Sequence, residues 1–168
     1  MLRSFLIICT GLAASADLAA AQVVVRVDAA HVEGPRALNE QTRTAAIRDY
    51  LQSWQALSEA LEQNRADLLD ADFVGTARDR LANTIREQAA LGIRTRYHDR
   101  KHNIQVVFYS PEGLSIELID TADYDVQLIN GNQAVTTEPA HVRYIVVLTP
   151  SEVRWRVRVL QAESDQDM

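Results

Sequence analysis

Residues 144–160, YIVVLTPSEVRWRVRVL, contain two apolar runs separated by the segment 149–152, TPSE. The second run alternates arginine with Trp or Val. Because successive side chains of a strand point to opposite faces, this alternation predicts a strand with one apolar and one charged face. Proline in the separating segment cannot continue a strand ladder and marks a turn. The chain therefore ends in a predicted pair of strands, Ala140–Thr149 and Val153–Gln161.

Upstream of this pair the apolar spacing also has a period of two, which predicts a sheet-rich second half. The predicted strands are Arg94–His98, Asn103–Ser110 and Leu114–Ile129. Turn residues separate the last of these from its neighbours, at 111–113 (PEG) and at 130–132 (NGN).

The first half has a helical period instead. Asn39 is a candidate N-cap, and apolar residues three and four apart follow it to about Gln63. Residues 64–73 predict a short helix and a turn, and a further helix is predicted from Thr76 to Leu91, with Gly92 as its C-cap. Helices followed by strands predict an α+β domain, in which the N-terminal helices cover a curved antiparallel sheet.

The first 21 residues are typical of a signal peptide. Arg3 supplies a positive charge, residues 5–16 are apolar, and residues 19–21 are the small residues that signal peptidase needs. A cleaved signal would place the mature start near Gln22 and the protein in the periplasm or outside the cell. The alternative is a retained membrane anchor, although a bilayer span needs about 20 apolar residues. The single cysteine, Cys9, lies in this segment, so the mature chain would have no thiol chemistry.

Length and charge limit the classes of function. The chain has 168 residues, with 17 basic and 23 acidic side chains and a net charge of −6, which argues against nucleic-acid binding. We expect one domain over 38–161, preceded by an arm or edge strand at 22–37 and followed by a disordered acidic tail at 162–168. No phosphate-binding glycine loop or nucleophile elbow is present, so no cofactor is expected.

Three segments resemble a known superfamily. They are the first helix with its aromatic pair (IRDYLQSW, 47–54), the short and second long helices before the sheet, and the closing strands (HVRYIVVL, 141–148; EVRWRVRVL, 152–160). Their order is similar to the nuclear transport factor 2-like superfamily, in a secreted bacterial branch. This resemblance implies a cone-shaped, cystatin-like architecture shared with ketosteroid isomerase and polyketide-cyclase-like proteins. No enzyme pattern of the superfamily matches residue by residue, so the resemblance implies a fold and not an activity.

The face of the sheet directed away from the helices is predicted to be apolar at its centre, which a one-sided sheet would not be. The apolar residues predicted to share this outer face are Val107, Tyr109, Ile119, Ile145 and Val147, whereas Phe108, Trp155, Val157 and Val159 are predicted to face inward. Because the superfamily often pairs two sheets face to face, we expect a homodimer; alternatively, the arm segment VVVRV (23–27) folds across this face. Arg154, Arg156 and Arg158 would lie at the rim of that interface or pair across strands with Glu117, Asp123 and Asp125.

Asp120 is the most informative candidate for chemistry. It alternates in phase with apolar residues of its strand, so it is predicted to face the interior, where a carboxylate can serve as a general acid or base. Tyr50, Trp54, Tyr124 and Tyr144 could line the same cavity. Two alternatives remain, a bulge that turns Asp120 outward and a purely structural hydrogen bond to a tyrosine.

A metal site is not expected. His98 and His102 are four residues apart, but on a strand this spacing spans about 13 Å, too far to share one metal ion. We expect them in a solvated loop or at a strand edge. Asp120, Asp123 and Asp125 fall on different faces of their strand and lack a calcium-binding loop.

Two functions are compatible with these patterns. The first is a non-catalytic cell-envelope module, dimeric, that binds a protein partner or a small apolar ligand. The alternative is a small cofactor-free enzyme, of isomerase, dehydratase or cyclase type, that uses the inward-facing Asp120.

Overall fold

The computed structural model describes residues 22–28 and 36–163. Their elements are β1 (Val24–Val27), α1 (Glu40–Gln63), a 3₁₀ turn (Ala66–Leu69), α2 (Gly75–Ala90), β2 (Ile93–Tyr109), β3 (Ile116–Asn130), β4 (Gln133–Pro150) and β5 (Trp155–Ala162). The predicted signal peptide and most of the predicted acidic tail lie outside the described residues. The beginning of that tail is ordered, because β5 includes Ala162 and the backbone N–H of Glu163 donates to the Arg143 carbonyl at 2.8 Å.

The five strands form one sheet in the order β1-β2-β3-β4-β5. Strands β2 to β5 are antiparallel neighbours, whereas β1 runs parallel to β2, so the sheet is mixed and not wholly antiparallel. The predicted α+β class is confirmed. The two strands predicted at 94–98 and 103–110 are one continuous strand, because a bulge between Asp99 and Lys101 absorbs one residue and the ladder with β3 continues beyond it.

The two helices cover one face of the sheet through their apolar stripes. Asn39 caps α1 as predicted, since its side chain accepts a hydrogen bond from the Thr42 N–H at 2.8 Å. The helix ends at Asn64, which adopts a left-handed conformation at φ 54°. The buried stripe of α1 faces inward-pointing residues of β2, β3 and β4, and the core residues include Tyr50, Trp54, Leu57, Ile104, Leu118 and Val146.

Bulges reverse two of the predicted faces. Between Val106 and Phe108 the pairing with β3 shifts by one residue, so Tyr109 enters the core at 5% exposure and Phe108 lies on the outer face opposite Glu117. The prediction that Tyr109 faces outward was therefore wrong. A second shift, between Val147 and Leu148 of β4, pairs Val147 with Val159 and turns Val159 outward. A single inserted residue changes the phase of all side chains beyond it.

Arg154, just before β5, and Arg156, within it, bind the connection between the 3₁₀ turn and α2. Arg154 pairs at 2.7 Å with Asp72, a carboxylate that is 5% exposed. Arg156 donates to the backbone carbonyls of Asp70 and Phe73, at 2.5 Å and 3.0 Å. The predicted pairing with carboxylates of β3 was wrong, because this connection runs beside β5 and is nearer. Arg158 is exposed.

Within the N-terminal arm, residues 24–27 form an edge strand and do not cross the outer face. Val24 to Val27 pair in register with Lys101 to Ile104 of β2, and all four are exposed. The alternative in which this segment covers the apolar outer face is therefore wrong. Among the residues that the structure describes, none of the helices combines the length and apolar character that a bilayer crossing requires.

Candidate functional site

A hydrogen-bonded chain of side chains crosses the interior at Asp120. The carboxylate is 0% exposed, and its Oδ2 accepts hydrogen bonds from the Tyr50 hydroxyl and from His102 Nδ1, each at 2.7 Å. On the other side of the imidazole, His102 Nε2 lies 3.8 Å from Asp99 Oδ2. Because the carboxylate receives Nδ1–H, the histidine is held in one orientation, with its Nε2 toward Asp99.

Strand register brings these groups together. Asp120 of β3 lies opposite Ile104 of β2 and Tyr144 of β4. His102 is two residues before Ile104 and so points to the same face. Tyr50 projects from the buried stripe of α1 that packs onto this face. The alternative in which a bulge turns Asp120 outward is wrong, whereas the hydrogen bond to a tyrosine is present.

Aromatic rings line the interior beside this chain. The ring of Trp54 lies 5.1 Å from that of His102, 5.7 Å from that of Tyr124 and 5.5 Å from that of Tyr144. The hydroxyls of Tyr124 and Tyr144 are 2.7 Å apart, and Tyr97 stacks at a tilt against Tyr124 at 5.0 Å. The four residues predicted to line a pocket therefore adjoin Asp120, while their role as a ligand pocket stays a prediction.

The environment shifts the pKa of each titratable group beside the carboxylate. Burial lowers the pKa of His102, but its hydrogen bonds to Asp120 and Asp99 and their negative charges outweigh that effect and raise it from 6.5 to about 9. Burial, together with the charge of Asp120, raises the pKa of Tyr50 well above 10. Burial also raises the pKa of Tyr124 and Tyr144. At neutral pH the histidine is an imidazolium and the tyrosines keep their protons.

Several polar atoms of this region are buried without a hydrogen-bond partner among the described residues. They are Trp54 Nε1, Asp99 Oδ1 and Asp120 Oδ1. Buried polar atoms are nearly always satisfied in folded proteins, so an unsatisfied group needs an explanation. Trp54 Nε1 is a donor, and Asp99 Oδ1 and Asp120 Oδ1 are acceptors, so the interior beside His102 keeps unused hydrogen-bonding capacity.

Sequence reasoning missed His102, which it assigned to a solvated loop or a strand edge. The residue is 1% exposed and belongs to the core face of β2. The signal was its alternation with Ile104 and Val106, which the polar surroundings at 97–103 (YHDRKHN) obscured. His98, in contrast, is exposed. Within the described part of the chain, no group of three or more His, Cys, Asp or Glu side chains could hold a metal ion.

No protein-family model matches the chain, and no curated protein matches it. Among solved structures, the intermembrane space region of the chloroplast protein ARC6 is similar with a TM-score of 0.63 and 14% identity, over 77% of this chain and 100% of that one. A candidate scytalone dehydratase from Novosphingobium aromaticivorans is similar with a TM-score of 0.50 and 13% identity, over 75% of this chain and 89% of the other. The protein Kfla4162 from Kribbella flavida has a TM-score of 0.51 at 7% identity, over 73% and 93%.

At these identities the likeness shows the fold alone. Membership of the nuclear transport factor 2-like superfamily, which the sequence resembles, and of a secreted bacterial branch stays a prediction. A candidate dehydratase and a region of a chloroplast protein share this fold, so the function has to be argued from the site.

Proposed function

We propose that this chain is a small cofactor-free enzyme that transfers a proton on a small organic substrate, as isomerases, dehydratases and cyclases do. One observation carries the proposal: the chain Tyr50–Asp120–His102, with hydrogen bonds of 2.7 Å, lies in an interior lined by aromatic rings. A buried carboxylate beside a histidine is the arrangement from which enzymes build general acids and bases.

The two oxygens of Asp120 have different surroundings. Oδ2 accepts from both Tyr50 and His102, which fixes the plane of the carboxylate. Oδ1 has no partner within the described residues and keeps lone pairs that can take a proton from a carbon acid. His102, held as an imidazolium, can return a proton, so one pair supplies both the base and the acid.

The tyrosine pair provides a donor for a substrate oxygen. In the contact between the Tyr124 and Tyr144 hydroxyls one O–H is used, and the other remains available to donate. Since burial raises the pKa of both phenols, neither loses its proton near neutral pH. Such a donor stabilises the negative charge that develops on a carbonyl oxygen when the adjacent carbon loses a proton.

Hydrogen exchange on a carbon acid tests this proposal before the natural substrate is identified. Small cyclic ketones and enones are incubated with the protein in deuterated buffer, and NMR follows the loss of the signal of the hydrogens beside the carbonyl. We expect exchange above the buffer rate, and a decrease of about 100-fold or more in Asp120→Asn, since general acid–base catalysis contributes about 10²–10⁴-fold. Asp123→Asn is the matched control, because Asp123 belongs to an exposed pair with His141 on the outer face. Equal rates for wild type and Asp120→Asn would contradict the proposal.

A second candidate is a non-catalytic, periplasmic or secreted module that acts as a homodimer and binds a protein partner or a small apolar ligand. The apolar outer face favours it: Phe108, Ile119, Ile145 and Val147 lie half-buried opposite the helices. Sedimentation equilibrium tests this candidate. A dimer that dissociates in Ile145→Lys, but not in Thr137→Lys at an exposed position of the same strand, would support it, and a wild-type monomer at all concentrations would exclude the dimer.

A further inference from the structure

An open cavity lies between α1 and β2, on the side of the buried histidine. Its volume is about 420 Å³. The residues that line it are Val23, Gln55, Ser58, Glu59, Tyr97, His98 and Asp99. It therefore combines two carboxylates, an imidazole and two neutral hydrogen-bonding side chains with a phenol ring and an aliphatic side chain.

Asp99 connects this cavity to the site in the interior. The bulge at Arg100 directs both Asp99 and His102 to the inner face of β2, although residues three positions apart point to opposite faces of a regular strand. The side chain of Asp99 is 18% exposed; its Oδ2 lies 3.8 Å from His102 Nε2, and its buried Oδ1 has no partner among the described residues. A charged oxygen without a donor is costly in a partly buried position.

The region contains more negative than positive charge. Within the described residues, His102 is the only cation within 4.0 Å of either Asp99 or Asp120. Glu59 adds a further carboxylate at the rim. Two arginines of β2 close to Asp99 in sequence have other partners, Arg96 with Glu62 at 2.5 Å and Arg100 with Asp125, and do not compensate this excess. The three carboxylates of Asp99, Asp120 and Glu59 therefore outnumber the cation even when His102 is protonated.

We infer that this cavity binds a protonated amine carried on a small aromatic or aliphatic group. The ammonium would donate to the carboxylate of Asp99, whose side chain is 18% exposed, with Glu59 as its second carboxylate. The face of Tyr97 favours the same charge through its ring electrons, and the apolar body can lie along Tyr97 and Val23. An anion would meet the carboxylates of Asp99 and Glu59 here. The inference rests on the proposed function in one respect, that the amine is a substrate of the same site. Binding of the amine itself requires no turnover.

Two probes with the same number of heavy atoms and a similar shape, benzylamine and benzyl alcohol, test whether the charge of the ligand determines its affinity. Benzylamine is protonated at neutral pH, whereas benzyl alcohol is neutral. NMR titration, followed through the amide signals of Tyr97 and Asp99, gives the dissociation constant of each. We expect benzylamine to bind about tenfold or more tightly than benzyl alcohol, because a charge-assisted hydrogen bond is roughly twice as strong as a neutral one. Asp99→Asn should remove this preference, and Glu59→Gln should reduce it.

Controls keep the outcome interpretable. Asp123→Asn removes a carboxylate from the outer face and should leave the preference unchanged. Should Asp99→Asn fail to fold, Glu59→Gln still tests the inference, because Glu59 is exposed on α1. Equal binding of both probes, absence of binding by either, or an unchanged preference in both Asp99→Asn and Glu59→Gln would overturn it. Amine binding without hydrogen exchange on ketones would refute the proposed function and leave this inference standing, and exchange without an amine preference would do the reverse.

Discussion

The pH dependence of stability follows from the position of His102. Its pKa is about 9 in the folded protein and 6.5 in the reference state that represents the unfolded chain. Because the folded state binds this proton more tightly, the contribution to the free energy of unfolding is fully present below pH 6.5 and disappears as the pH rises through about 9. At 1.36 kcal/mol for each pH unit, the difference corresponds to about 3 kcal/mol.

Urea unfolding, followed by tryptophan fluorescence between mildly acidic and mildly alkaline pH, measures this contribution. With a denaturant dependence of about 1–3 kcal/mol per M, a loss of about 3 kcal/mol lowers the midpoint by about 1–3 M urea. The alkaline limit stays below the tyrosine range, since burial raises the pKa of Tyr97 from 10.0 to about 12. His102→Gln should give a flat profile over this window, and His141→Gln, which alters the exposed pair on the outer face, should keep the wild-type slope. A flat wild-type profile, or an undiminished slope in His102→Gln, would refute the reasoning.

Further variants test the packing around the site and the turns, each by denaturant unfolding. Tyr50→Phe deletes the donor to a buried carboxylate and should cost about 1.5–3 kcal/mol, as for hydrogen bonds to charged groups; a cost near zero would show that the bond has little weight. Arg154→Ala leaves Asp72 buried without its cation and should cost about 3 kcal/mol, of which a second change, Asp72→Asn, should restore part. Gly113→Ala should destabilise more than Gly131→Ala, although both have positive φ, worth about 1–2 kcal/mol. A Cβ at Gly113 would also lie 2.9 Å from the hydroxyl of the buried Tyr109, whereas nothing lies within 4 Å at Gly131.

The helices and the inward position of Asp120 could be predicted because local periodicity determines them. Apolar residues three and four apart place the buried stripe of α1, and Asp120 alternates with Ile116 and Leu118 on an uninterrupted part of β3. The turn at 130–132 was likewise predictable from its residue types. Each of these features depends on neighbours within a few positions of the chain.

The bulges could not be predicted, since they depend on how two distant strands fit against each other. The insertion near Val107 decides that Tyr109 is buried, and the one in β5 decides that Val159 faces outward. The partner of Arg154 is similarly non-local, because the connection that carries Asp72 comes beside β5 only in the folded chain. The inward position of His102 could have been predicted from its regular alternation with Ile104 and Val106. The polar residues around it made that alternation difficult to recognise.

The parallel attachment of β1 has a consequence for folding and aggregation. Asp28, just beyond this strand, lies 75 positions from its contact Asn103. Forming this pairing therefore costs the entropy of bringing two distant parts of the chain together, and the short ladder contributes only a few hydrogen bonds. We expect β1 to dock late and to detach early, which amide hydrogen exchange would show as the weakest protection in the sheet. While it is detached, β2 presents an open edge that a second chain could extend. Lys101, on the outer face of that edge, puts like charges where two copies of it would meet and opposes that growth.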